Sequence, residues 1–143
     1  MTASRACIDF IAQHEGFRTE AYQDEGGVWT IGYGSTGGVQ PGDRITEPAA
    51  RERLMDHVAG VEQHVSKVVT VQLYQDQFDA LVSLVYNIGA GAFAESTLLR
   101  KLNAGKVCAA TAQFSRWNKI NGKASAGLAE RRSAEAILFA GDR

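Results

Sequence analysis

The chain has 143 residues, the usual length of one compact domain, and 45% of them are hydrophobic and 22% charged. This composition excludes disordered and collagen-like chains. A net charge of −1 without any nucleic-acid-binding motif argues against a nucleic-acid partner. The first residues contain no apolar run long enough for a signal peptide or membrane anchor, so no stable membrane insertion is expected.

The first predicted element is a helix over residues 4–14. Ile8, Ile11 and Ala12 recur with helical spacing, and Gly16 supplies a stop. Glu15 then lies at the C-terminal end of this helix, where the helix dipole makes a negative charge unfavourable. This local placement distinguishes Glu15 from an ordinary surface carboxylate.

The next stretch, from Tyr22 to Gly34, is predicted to form a small β hairpin. Its segment DEGG is a turn signal, and VWTIGYG alternates in the manner of a strand. In an extended strand Thr30 shares a face with Gly32 and Gly34, so a bulky ligand can approach the backbone there. A glycine-rich edge hairpin that binds nothing is the alternative.

The rest of the chain is predicted to be helical. A long amphipathic helix follows a cap at Thr46, and its two histidines, His57 and His64, are expected to be a surface pair because a zinc site would need a third ligand. Further helices are predicted over QDQFDALVSLVYNIGAGAF, ESTLLRKLNAG, VCAATAQFSRW and GLAERRSAEAILFAG, with stops at Gly89 and Gly105.

These elements predict an α+β, mainly α, single domain over residues 1–143. One hairpin lobe covers about 17–45, and a helical lobe covers about 70–143 together with the N-terminal helix. A functional cleft is expected between the two lobes.

Charge is unevenly distributed along the chain. Between positions 43 and 95 eight acidic residues stand against four basic ones. Between positions 99 and 132 only Glu130 is acidic, whereas eight residues are basic: Arg100, Lys101, Lys106, Arg116, Lys119, Lys123, Arg131 and Arg132. This segment is typical of a solvated helical face, and it also fits a surface that meets a polyanion.

The two cysteines, Cys7 and Cys108, lie far apart and fit no metal or redox spacing. Both fall in apolar helical segments. We therefore expect free, buried thiols, a protein suited to a reducing cytoplasm, and no metal or cofactor.

Two carboxylates, Glu15 and Asp24, flank the start of the hairpin in contrasting environments. Cleavage of a glycosidic bond needs a proton donor for the leaving oxygen and a second group on the opposite side of the sugar. Glu15, at the helix end, suits a donor that must be protonated near neutral pH. Asp24 lies in a polar turn where a carboxylate stays ionised, and Thr30 can help it to hold a nucleophilic water.

The spacing of these residues is specific. Eight residues separate Glu15 from Asp24, and five separate Asp24 from Thr30. This is the pattern of the catalytic triad of phage-type lysozymes, glycoside hydrolase family 24, and the chain resembles that family. Other segments similar to the family's landmarks follow in order: Ala21-Tyr22, Gly27 to Gly34, Tyr86-Asn87-Ile88-Gly89, Phe93 to Leu98, Trp117, Gly127-Leu128 and Arg131-Arg132.

The resemblance implies a two-lobed lysozyme-like fold whose long helix joins the lobes. It implies an endolysin muramidase that hydrolyses the β-1,4 bond between N-acetylmuramic acid and N-acetylglucosamine in peptidoglycan. Glu15 would protonate the glycosidic oxygen, while Asp24 and Thr30 would activate water on the opposite face, with inversion. The protein would be a monomer that reaches the wall from the host cytoplasm through lesions made by a phage holin.

Four further residues are candidate substrate-binding residues. Asn87 and Trp117 match positions that line the cleft in this family, and Tyr22 and Gly34 flank the acids on the hairpin. Packing alone is the competing interpretation for each of them.

Some alternatives stay open at this point. Arg131 is interpreted as a surface arginine, with pairing to Glu15 as the alternative. A lytic transglycosylase on the same scaffold would not need Asp24 and Thr30 to hold water. A wall-binding module that has lost catalysis is the third possibility.

Overall fold

The computed structural model describes residues 1–142 and is mainly helical. Its α-helices are α1 (Arg5–Glu15), α2 (Glu47–Val68), α3 (Gln75–Ile88), α4 (Ala90–Ala94), α5 (Thr97–Asn103), α6 (Val107–Gln113) and α7 (Ala126–Ala140). Two antiparallel hairpins accompany them: β1 (Arg18–Gln23) pairs with β2 (Trp29–Gly32), and β3 (Lys119–Ile120) pairs with β4 (Lys123–Ala124). Within residues 1–142, none of the helices has the length and apolar character needed to cross a membrane.

The helix boundaries follow from local sequence signals. The Thr46 hydroxyl accepts a hydrogen bond from the backbone N–H of Ala49 and so caps α2. Gly16 and Gly89 end α1 and α3 at positive φ, a conformation that glycine adopts without steric cost. These caps confirm the predicted helix boundaries to within a few residues.

The hydrophobic core is centred on α3. This helix packs against α1, α2 and α7, and every residue from Gln77 to Tyr86 is buried. Burial of one large apolar side chain such as Phe78 or Leu81 stabilises the fold by roughly 1.5–3 kcal/mol. The long helix α2 contacts β2 at one end and α4 at the other, so it joins the hairpin lobe to the helical lobe as predicted.

The β3–β4 hairpin departs from the prediction of a single hairpin. Each strand has only two residues, which is too short to show an alternating pattern. The turn between them is Asn121-Gly122, with φ of 51° and 79°. Asn-Gly with two positive φ values is a typical hairpin turn, so this dipeptide was the signal available in the sequence.

Two predictions about which side chains are exposed were wrong in part. Cys7 and Cys108 are free as expected, but only Cys7 is buried, and Cys108 is exposed because Ala110 is the buried residue of α6. His57 is exposed at the surface, whereas His64 is half-buried beside Phe93, because this part of α2 packs on α4.

Candidate active site

A cleft of about 990 Å³ separates the first hairpin from the helical lobe. The end of α1, the β1–β2 hairpin, α2, α3 and α7 all contribute to its walls. Six of the seven candidate residues line it: Glu15, Tyr22, Asp24, Thr30, Gly34 and Asn87.

Glu15 is held at the end of α1 by contacts on two sides. Its Oε2 accepts a hydrogen bond of 2.6 Å from Nη1 of Arg131, and the Glu15 side chain is 16% exposed. On the other side the carboxyl group lies against the backbone of Gly34, which has a φ of +82°. A Cβ at position 34 would collide with Oε1 of Glu15, so the close approach requires glycine there.

Asp24 is fixed by the backbone of its own turn. Its Oδ1 accepts hydrogen bonds from the N–H groups of Gly26 at 2.8 Å and Val28 at 2.9 Å. The Asp24 backbone N–H also donates to the carbonyl oxygen of Val28. An aspartate that bonds its own turn in this way is orientated without help from other elements.

Thr30 lies on β2 with 3% of its surface exposed. Its hydroxyl donates a 2.9 Å hydrogen bond to the carbonyl oxygen of Val28. Because this bond uses the hydroxyl proton, the Thr30 oxygen can act only as an acceptor towards any further partner. Thr30 pairs with Tyr22 across the hairpin, so both residues occupy the same level of the cleft wall.

Tyr22 and Asn87 occupy opposite walls. The guanidinium of Arg18 stands over the Tyr22 ring at 4.5 Å from its centroid, and burial raises the pKa of Tyr22. Tyr22 is therefore a neutral phenol at physiological pH. Asn87 is exposed near the C-terminal end of α3 and offers both a donor and an acceptor to the cleft.

Trp117 is the candidate that the structure does not bring to this cleft. It follows a 3-10 turn (Phe114–Arg116) and packs, half-buried, against the hydrophobic core. It is not one of the residues that form the cleft wall within residues 1–142. The position of Trp117 agrees with the alternative interpretation, in which this residue serves packing alone.

Arg131 is buried, which corrects its interpretation as a surface arginine. It is 4% exposed and lies on the face of α7 that packs against α3. Its Nη2 donates to the Ser83 carbonyl oxygen at 3.2 Å, and its Nε donates to Glu135 at 3.4 Å. Helical spacing gave a signal for this, since Arg131 is eight residues before the buried Phe139 and shares its face.

The histidine–tyrosine pair in the cleft was also missed. The rings of His57 and Tyr86 lie with centroids 4.2 Å apart, and both residues line the cleft. His57 is exposed overall, yet the partial burial of its imidazole at the cleft wall lowers its pKa and favours the neutral form. The Tyr86 hydroxyl donates to the Tyr33 carbonyl oxygen at 2.7 Å and ties α3 to the hairpin lobe.

The β3–β4 hairpin reaches across the mouth of the cleft. The Asn121 side-chain amide donates a 3.2 Å hydrogen bond to the carbonyl oxygen of Glu25 in the turn between β1 and β2. This bond joins the first hairpin to the β3–β4 hairpin of the helical lobe. Within residues 1–142 no group of three or more His, Cys, Asp or Glu side chains is placed to hold a metal ion.

The profile of the phage lysozyme family matches residues 12–135. The chain is 43% identical over 143 residues to an endolysin of Acyrthosiphon pisum secondary endosymbiont phage 1, covering 97% of this chain and 98% of that protein.

Solved structures of a muramidase domain and of a phage lysozyme are similar to this chain. The muramidase domain of SpmX from Asticaccaulis excentricus superposes with a TM-score of 0.89 and 38% identity, covering 96% of this chain and 97% of that domain. A mutant of P22 lysozyme superposes with a TM-score of 0.84 and 39% identity, covering 98% of this chain and 99% of that one.

Proposed function

Because the chain belongs to the phage lysozyme family, we propose that its cleft cleaves the β-1,4 bond between N-acetylmuramic acid and N-acetylglucosamine by single displacement. The protein is a glycoside hydrolase, an endolysin-type muramidase that lyses the bacterial cell wall. One observation carries the proposed mechanism: the carboxyl group of Glu15 is clamped at the cleft between Arg131 and Gly34, while Asp24 and Thr30 line the same cleft from the hairpin.

Glu15 acts as the general acid in this mechanism. Its proton passes to the glycosidic oxygen as the bond from that oxygen to the anomeric carbon breaks. The clamp by Arg131 and Gly34 supports this role because it fixes the carboxyl group before substrate arrives. An acid in free solution must lose orientational entropy to reach the transition state. A proton donor that is already fixed in place does not have this entropic cost.

Asp24 and Thr30 hold the attacking water. Asp24 binds its own turn through Oδ1, so Oδ2 is the oxygen directed to a water. The Thr30 hydroxyl donates its proton to the Val28 carbonyl oxygen, so its oxygen is available as an acceptor. A water that donates one proton to each of these acceptors turns its lone pair towards the anomeric carbon. Asp24 takes one water proton as the bond to the carbon forms, and the anomeric configuration inverts.

Paired carboxamide variants test the role of Glu15. Glu15→Gln keeps the shape of the side chain and removes the acidic proton, so release of soluble fragments from purified peptidoglycan should fall by at least 10²-fold. Glu130→Gln is the matched control, because Glu130 also lines the cleft on α7 but is exposed. Full activity of a folded Glu15→Gln variant would remove the proposed acid, whereas equal losses in both variants would indicate a general charge effect.

The route to the wall is proposed from the kind of relative that matches. Phage endolysins are among the relatives that match almost the whole chain, and we place the protein in the host cytoplasm until a phage holin opens the membrane. It then acts as a monomer on peptidoglycan strands in the periplasm. Expression with a holin should clear a culture within minutes, while expression alone should not; clearing without a holin would contradict this route.

A further inference from the structure

We propose that Glu135, a buried residue of α7, is a positioning residue for the reaction because it holds Arg131 so that one guanidinium nitrogen alone reaches Glu15. The inference rests on the proposed role of Glu15 as proton donor. It gives a function to a carboxylate that is 0% exposed and therefore cannot touch the substrate.

The geometry distributes the Arg131 donors among three residues, and Nη2 reaches both the carbonyl and the hydroxyl oxygen of Ser83. Nη1 points to Oε2 of Glu15 at 2.6 Å, Nε points to Oε2 of Glu135 at 3.4 Å, and Nη2 points to the Ser83 carbonyl oxygen at 3.2 Å. The Ser83 hydroxyl donates to the same Glu135 oxygen at 2.5 Å. The guanidinium is thus anchored on α3 and α7, and Glu15 receives a single end-on contact instead of a two-pronged one.

Glu135 also balances charge in a region that excludes water. Arg132 is 1% exposed, and its Nε lies 2.8 Å from Oε1 of Glu135. Burial lowers the pKa of Arg132 to about 10, so Arg132 remains protonated at neutral pH. Burial raises the pKa of Glu135, while Arg132, Arg131 and the Ser83 hydroxyl counter this and favour its charged form. Without Glu135 the two guanidiniums would lose the carboxylate that pairs with both of them. An uncompensated buried charge is strongly unfavourable, and it would favour the ionised form of any acid beside it.

This balance resolves a conflict in the mechanism. A proton donor must carry its proton, yet an arginine partner favours the carboxylate form of that donor. Glu135 accepts a hydrogen bond from Nε of Arg131, so only Nη1 of the guanidinium reaches the proton donor Glu15.

The other titratable or charged groups near this cluster come from every packed element. They are Cys7 and His14 on α1, Tyr22 on β1, His57 and Glu62 on α2, Asp79 and Tyr86 on α3, and Glu130 on α7. Burial raises the pKa of Cys7 to about 12 and also raises the pKa of Tyr86, so both are neutral during turnover. Cys7 and Tyr86 therefore add no negative charge, and the negative neighbours are the carboxylates of Glu62, Asp79 and Glu130.

The variant that tests the proposal is Glu135→Gln, which keeps the shape and hydrogen-bonding capacity of the side chain and removes its charge. With one negative charge fewer beside Arg131, Glu15 should be ionised at lower pH. The alkaline limb of the pH–activity profile should move about one pH unit towards acid, a roughly tenfold loss at a fixed pH on that limb. The midpoint of the Glu15 carboxyl titration, followed by ¹³C NMR in glutamate-labelled protein, should move in the same direction.

Controls separate positioning from structural support. Phe114→Leu disturbs the same helical lobe without touching Arg131, and it should lower the activity by the unfolded fraction while leaving the profile in place. Glu135→Asp keeps the charge and should restore most of the alkaline limb. If Glu135→Gln does not fold, Ser83→Ala removes one bond to Glu135 and should give a smaller shift of the same sign.

The results distinguish this proposal from the assignment of the acid. An unmoved pH profile and an unmoved Glu15 titration in a folded Glu135→Gln variant would overturn the positioning role, even if Glu15→Gln is inactive. Activity retained in Glu15→Gln would instead overturn the proposed acid and leave Glu135 without a catalytic partner.

Discussion

Replacing Gly34 by alanine tests whether the hairpin fixes the position of Glu15. An ideal Cβ at position 34 would lie 3.2 Å from Cδ of Glu15 and would collide with Oε1, where ordinary contacts begin at 3.4 Å. The backbone at Gly34 has a φ of +82°, and all the atoms near the ideal Cβ belong to the Glu15 side chain, so the flexible carboxyl group is the part that gives way. We expect the carboxyl group to retreat by a few tenths of an ångström to about 1 Å.

Two separate costs follow from this substitution. Placing a residue with a Cβ at positive φ costs roughly 1–2 kcal/mol of stability. A misplacement of about 1 Å at a catalytic group lowers the rate by up to about 10²-fold. Gly34→Ala should therefore lose far more activity than its loss of stability explains.

Gly42→Ala is the matched control. Gly42 has a φ of +88°, and no described atom outside residues 41–43 lies within 4 Å of an ideal Cβ there, so this variant carries the backbone strain without the collision. Urea unfolding followed by circular dichroism measures stability, and clearing of a suspension of purified walls measures activity. Equal specific activities of the two variants, after correction for the folded fraction, would refute the claim that Gly34 fixes Glu15.

Three other predictions concern parts of the molecule beyond this contact. A thiol reagent should label Cys108 rapidly and Cys7 only after unfolding, because burial raises the pKa of Cys7 to about 12; equal labelling rates in the folded protein would contradict its burial. Because burial lowers the pKa of His57, the unfolded chain binds more protons than the folded protein below about pH 6.5, so stability should fall with acidification. His57→Gln should flatten the dependence of stability on pH, and it should change the stability at pH 8 less than the stability at acidic pH. An unchanged pH dependence would show that His57 does not contribute. Asn121→Asp removes the donor to Glu25 and should speed hydrogen exchange of the β3–β4 amides about fivefold, the effect of losing roughly 1 kcal/mol; unchanged exchange would mean that the bridge does not hold the hairpin.

The parts of the fold that sequence analysis predicted are those determined by neighbouring residues. The stop at Gly16 and the cap at Thr46 depend on residues within one helical turn, and both are found where predicted. Glu15, Asp24 and Thr30 fall within one short segment, so their grouping at a single cleft needs only a helix end and a hairpin. Local chemistry was sufficient for these features.

The features that were missed depend on contacts between distant segments. Arg131 meets Glu15 across 116 positions. Helical spacing from Phe139 indicates that Arg131 turns inward, but no local pattern shows which acid it meets. Cys108 lies in an apolar segment, but the packing of α6 buries Ala110 in its place. Trp117 matches a family landmark by order along the chain, yet the 3-10 turn before it directs it against the core.

The central claim is that Glu15, Asp24 and Thr30 hydrolyse the glycosidic bond with water. Mass spectrometry of fragments released from purified Gram-negative peptidoglycan in H₂¹⁸O tests this most directly. We predict reducing-end N-acetylmuramic acid carrying one ¹⁸O atom, and its loss in Glu15→Gln. Fragments that end in 1,6-anhydro-muramic acid without ¹⁸O would show that the sugar's own hydroxyl attacks, and they would contradict the water-holding role of Asp24 and Thr30.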